Sequence, residues 1–132
     1  MNRVVARYQD GRSLKGMTSD FFPNKDRFHV LQVDAPAGTK PVEILISELK
    51  AVFFVKDFAG NPGHKKTNTP EGVKQPPGRK VQVTFKDAEV IVGTTQGYQA
   101  GRPGFFVVPI DPESNNERCY VVSVAAKEIT LL

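Results

Sequence analysis

Apolar and polar residues alternate through Val81, Gln82, Val83, Thr84 and Phe85, the period of two expected of a strand with one face turned inward. Val4, Ala6 and Tyr8 repeat the pattern near the start of the chain, and Arg3–Thr18 reads as two strands joined at Asp10-Gly11. The second copy of this hairpin is Val81–Thr95. Adding 77 to a residue number in the first half lands on its counterpart in the second without gaps: Leu14 falls on Ile91, Gly16 on Gly93, Phe28 on Phe105, Val30 on Val107, and Val52 on Ile129. A register kept over thirty residues points to a duplicated module.

Taken in order, the first module continues with a strand over Arg27–Asp34, a loop over Asp34–Pro41, and strands over Val42–Glu48 and Ala51–Val55 joined by a tight link at Leu49-Lys50. The second runs Lys80–Lys86, Glu89–Gln96, Gly104–Asp111, Arg118–Val124 and Glu128–Leu132. With 11 Gly, 10 Pro and no window of helical period, the chain predicts an all-β protein with at most a helical turn near Leu49. Five short strands with a turn near each junction predict a small barrel, since closure removes exposed sheet edges. The expected architecture is therefore two tandem five-stranded barrels, residues 1–55 and 81–132, packed into one unit. Gly11 is replaced by Ala88 in the second hairpin, and because Ala does not comfortably take a positive φ, a different turn type is expected there. Val52–Val55 and Phe105–Val108 are continuously apolar, which predicts strands covered on both faces, each by the other module.

Length supports the packed arrangement, because a unit of about 55 residues buries only roughly 60% of its unfolded surface and is marginal alone. Residues 56–80 lack apolar periodicity and read as a flexible basic connector. The formal net charge of +4 splits as +2 for residues 1–55, +4 for 56–80 and −2 for 81–132, so the connector carries the excess. No apolar run approaches the ~18 residues that span a bilayer, and Met1–Arg7 has no secretory h-region. A lone Cys119 in an apolar context fits a buried strand thiol, and a cytoplasmic location is expected.

The alternating apolar residues, Asp10-Gly11 and Gly16 resemble the opening motif of Sm-like barrels, in which the second glycine lets a curved strand bend. That resemblance implies an SH3-like or Sm-like barrel and RNA binding, although Phe21-Phe22 and Ser47-Glu48 stand where the family holds bases. Leu49–Phe58 and Gly104–Asn116 resemble a bacterial domain family of unknown function whose members recur in or beside signalling proteins, which implies a regulatory or interaction module. Arg3 and Arg7 have the Arg-x-x-x-Arg spacing of PilZ domains, and equally that of outward residues on a strand.

No nucleophile with a base, carboxylate pair or metal cluster stands out, and His29 and His64 lack a ligand partner at metal spacing. Neither an enzyme nor a cofactor is expected. Two groups are candidates for binding: Lys65, Lys66, Arg79 and Lys80 in and beside the connector, suited to an anion, and Arg102, Asn115, Asn116 and Arg118 in loops rich in amide and guanidinium donors. The sequence thus predicts a non-catalytic binding or adaptor module for a protein partner or small anionic ligand. The alternative is recognition of RNA or a nucleotide, cyclic dinucleotides included, through the connector, Arg102 and Arg118.

Overall fold

The structure, a computed structural model, describes residues 1–56, 58, 78–98, 101–110 and 115–132. Among these, ten strands form: β1 (Asn2–Tyr8), β2 (Ser13–Thr18), β3 (Arg27–Gln32), β4 (Val42–Leu45), β5 (Leu49–Val55), β6 (Arg79–Phe85), β7 (Val90–Thr95), β8 (Gly104–Pro109), β9 (Asn116–Val122) and β10 (Ala126–Leu131). The protein is all-β, with only two 3₁₀ turns among the described residues, Ile46–Glu48 and Ser123–Ala125. The sheet order is β10-β6-β7-β8-β9-β5-β1-β2-β3-β4, and neighbouring strands pair antiparallel. Most of the connector, including Lys65 and Lys66, lies outside the described residues.

The offset that relates the two halves of the sequence also relates their elements. It carries Asn2, the start of β1, onto Arg79, the start of β6, and it carries β2 onto β7, β3 onto β8, and one 3₁₀ turn onto the other. Several bounds differ from expectation. Leu49 and Lys50 are not a link but the start of β5, while the helical turn lies just ahead at Ile46–Glu48 and ends β4 early. β9 likewise starts at Asn116 and β10 at Ala126. Gly16 and Gly93 are where β2 and β7 meet the strands that follow. A Cβ on Gly16 would lie 2.3 Å from the Leu31 carbonyl oxygen, and one on Gly93 would lie 2.2 Å from that of Val108. Backbone crosses backbone there too closely for any side chain.

The two apolar cores share a wall made of β5 and β9. From β5, Leu49, Val52 and Phe54 join Val4, Ala6, Phe28, Val30 and Ile44, while Ala51, Phe53 and Val55 face the other way onto Val81, Val83, Phe85, Phe105 and Val107. β9 divides in the same manner, with Tyr120 and Val122 in the first core and Cys119 and Val121 in the second. This accounts for the apolar run Val52–Val55. The run Phe105–Val108 is covered less completely, since Phe106 packs on the first core but Val108 is 36% exposed.

The turn at Asp87–Glu89 corrects the sequence expectation. Ala88 has φ of 76°, as Gly11 has 96° in the first hairpin, so the two turns match. Each is held by an aspartate: Asp10 accepts from the Arg12 N–H at 3.0 Å and Asp87 from the Glu89 N–H at 3.1 Å. The left-handed conformation costs a non-glycine residue roughly 1–2 kcal/mol, and an interaction from the other half helps to offset it. Lys50 is skipped in the β1–β5 register, which pairs Tyr8 with Leu49 and Arg7 with Ala51. From this bulge its side chain reaches across to donate to Asp87 at 2.7 Å and to Glu89, with its ammonium 4.7 Å from the centre of the Phe85 ring. Burial disfavours the Lys50 charge, but hydrogen bonds to the two carboxylates outweigh it and raise its pKa; the bond from Lys50 in turn lowers that of Asp87.

Replacing Gly93 with Ala is expected to cost at least ~1–3 kcal/mol in denaturant unfolding, because backbone must move to admit the methyl group. An unchanged midpoint would show that the crossing is looser. Lys50→Met should cost about 1–2 kcal/mol near neutral pH, less than a fully buried pair because both carboxylates are partly in water. Asp87 contributes above its ordinary value of 3.8 and loses the contribution as pH falls through its lowered pKa; Lys50 contributes below 10.5 and loses it as pH rises through its raised one. The stability gap between wild type and variant should therefore be flat between these limits and close beyond each. A pH-independent gap would leave packing alone as its source.

Candidate functional site: a cavity where the two halves meet

Pairing β5 with β9 brings loops of both halves to one end of the shared wall. There they enclose a cavity of about 650 Å³, within the range of small-ligand sites. The first half supplies the loop Pro23–Asp26 and the 3₁₀ residues Ile46 and Ser47. The second supplies Arg102–Gly104, Tyr120 and Val122 from β9, and Val124 from its 3₁₀ turn. Both 3₁₀ turns are anchored from nearby loops: the Ile46 N–H donates to the Asp26 carbonyl at 2.9 Å, and the Ser123 N–H to that of Pro103 at 2.9 Å.

Apolar groups make much of the lining, among them Ile46, Val122, Val124 and the Tyr120 ring. Tyr120 is 1% exposed, and its ring fits because Gly104 has no Cβ, which would fall 2.5 Å from the ring's Cζ. Burial raises the Tyr120 pKa, with the positive charge of Arg102 pulling the other way, so the phenol stays protonated at neutral pH. Among the described residues, three charged ones line the cavity: Lys25, Asp26 and Arg102. Asp26 is engaged by Arg27 at 3.1 Å, and this hydrogen bond lowers its pKa. Neither Lys25 nor Arg102 forms a salt bridge among the described residues, although the Lys25 ammonium stands 5.2 Å from the Phe22 ring centre. The arrangement provides an apolar floor, a phenol and two cations.

Of the candidates read from sequence, Arg102 lines this cavity and Arg118 does not. The Arg118 guanidinium lies 4.3 Å from the Phe54 ring centre and 4.9 Å from that of Phe106, over a cluster in which Phe21 makes edge contacts with Phe28, Phe54 and Tyr120. Asn115, whose carbonyl accepts from the Lys56 N–H at 2.8 Å, and Asn116 sit at the opposite end of β9 from Val122, a strand length of about 20 Å away. Arg79 and Lys80 begin β6, paired with Thr95 and Thr94. Arg3 and Arg7 are exposed on β1, Arg3 donating to the Lys56 carbonyl at 3.4 Å. His29 lies between Asp20, at 2.7 Å, and Glu43, at 3.7 Å, outside the cavity.

Lys25, Ile46, Ser47 and Tyr120 were missed by sequence reasoning. For Lys25 a signal existed, because the offset between the two halves lands it on Arg102.

The model of a family of unknown function, DUF6982, matches the chain over residues 1–132. No curated protein and no solved structure matches.

The two arginines should separate on substitution. Arg118→Ala is expected to lower stability by about 0.5–2 kcal/mol through loss of its stacking on two rings, whereas Arg102→Ala should stay within ~0.5 kcal/mol of wild type, as surface changes usually do. Thermal or denaturant unfolding of both variants checks this, and equal losses would contradict the division.

Proposed function

The chain belongs to the DUF6982 family, and we propose that it is a non-catalytic binding module that holds its ligand in the cavity between its halves. In this reading the molecule is a fused pair of SH3-like or Sm-like barrels derived from one duplicated module, working as a regulatory or signalling adaptor in a bacterial cytoplasm. The order β5-β1-β2-β3-β4 in one half and β10-β6-β7-β8-β9 in the other supports the paired-module reading. The observation that carries the functional part is the cavity itself, sized for a small ligand, mostly apolar, and lined by a few polar groups able to fix orientation. Recognition of RNA or a nucleotide through the basic connector, Arg102 and Arg118 has less to support it, since most of the connector lies outside the described residues and Arg118 lies over Phe54 and Phe106 and not in the cavity.

A fragment screen followed by amide chemical-shift mapping tests the site. Hits should perturb Ile46, Ser47, Tyr120 and Val122 together. Ser47→Trp places an indole on an exposed wall residue and should abolish those hits while leaving the remaining spectrum that of a folded protein. Perturbations scattered over the surface, or hits that survive in Ser47→Trp, would move the binding site elsewhere.

A further inference from the structure

We propose that the cavity selects an organic anion, its apolar or aromatic body lying on Pro23, Pro103 and Val124 and its acidic group held by Lys25 and Arg102. The inference rests on the cavity being the binding site and adds the chemistry of the occupant.

Charge is the first argument. Asp26, bonded to Arg27 at 3.1 Å, has its charge partly offset. The two remaining charges are both positive, and neither is neutralised by a salt bridge from any described residue. Two cations on the wall of one apolar cavity repel each other, and an anion between them turns that repulsion into two attractions.

Position is the second argument. Lys25 and Arg102 stand at corresponding places of the two halves, in the loops that lead into β3 and β8. Each half thus brings one cation, and the β5–β9 joint brings the two loops to one cavity. The floor argues for the rest of the ligand. Pro23, Pro103 and Val124 are exposed on the same wall, and inorganic phosphate would leave such a surface uncovered, whereas an aryl or acyl body would cover it.

Paired dyes provide the test on the whole chain. Anilinonaphthalene sulfonate and phenylnaphthylamine share an aromatic body, and only the first carries an anion. Fluorescence titration should show the sulfonate binding about tenfold tighter than the neutral dye, an advantage that added salt erodes. In the double variant Lys25→Ala/Arg102→Ala the advantage should vanish while the neutral dye binds as before, and circular dichroism should be unchanged, since both side chains are exposed. Equal affinities for the two dyes, or an advantage that survives in the double variant, would overturn anion selection and leave the cavity reading intact. If neither dye binds, or both bind Ser47→Trp as well as wild type, the cavity reading fails with it.

Discussion

The pairing of β5 with β9 is the constraint on which the rest depends, because it makes one pair of strands serve two cores. A strand in a two-sided wall must be apolar on both faces, and Leu49–Val55 is buried along its entire length, Lys50 included. Neither half could give up this wall. Removing β9 would uncover Val52 and Phe54 on one side, and removing β5 would uncover Cys119 and Val121 on the other. At about 1.5–3 kcal/mol for each large apolar side chain buried, a few such residues match the whole stability of a small domain. The two cores are therefore expected to unfold together.

Corresponding positions show how the chain limits this joint to one. β4 and β10 stand at the outer ends of the sheet, and the offset between the halves relates β4 to the end of β9 and β10 to β5. Tyr120 in the joint corresponds to Glu43 on β4, and Phe106 beside it to His29. Ala51 and Phe53 correspond to Glu128 and Thr130 on β10. At these positions the joint carries apolar groups and the other half polar or charged ones. A joint of this head-to-tail kind would extend indefinitely if both open edges matched the closed ones. Glu43, held by Arg27 and beside His29, and Glu128 make further strand addition costly.

Much of this was legible in the sequence, and the reason is local. Alternation in Val81–Phe85 and the continuous run Val52–Val55 each report a constraint on the residues that carry it, so strands and two-sided burial could be read in place, whereas Gly16 suggested a bend and not the close crossing found there. The turn at Ala88 could not. Its conformation is supported from Lys50, which is distant in sequence and aimed by a bulge that no residue type announces. The cavity failed to show for the same reason, since Lys25, Ser47, Arg102 and Val124 meet only once β5 and β9 pair. For Arg118, a guanidinium near amides reads as a binding group, while its ring partners Phe54 and Phe106 come from other strands and could not be read locally.

One geometric fact ties the cavity to stability. Its wall is drawn from both halves, and Tyr120 and Val122 belong at once to the cavity floor, to β9 of the joint and to the first core. A ligand resting on them makes contacts that exist only when the joint is closed, so its binding energy adds to the stability of the joined state. The dependence also runs in reverse. Anything that loosens the joint, whether a smaller residue in the wall or loss of the Lys50 clamp, would separate the loops bearing Lys25 and Arg102 and so weaken the proposed binding without touching either cation. A cavity made from a fold's own seam in this way is sensitive to the state of the whole molecule, and that sensitivity is the physical property on which the proposed regulatory role would draw.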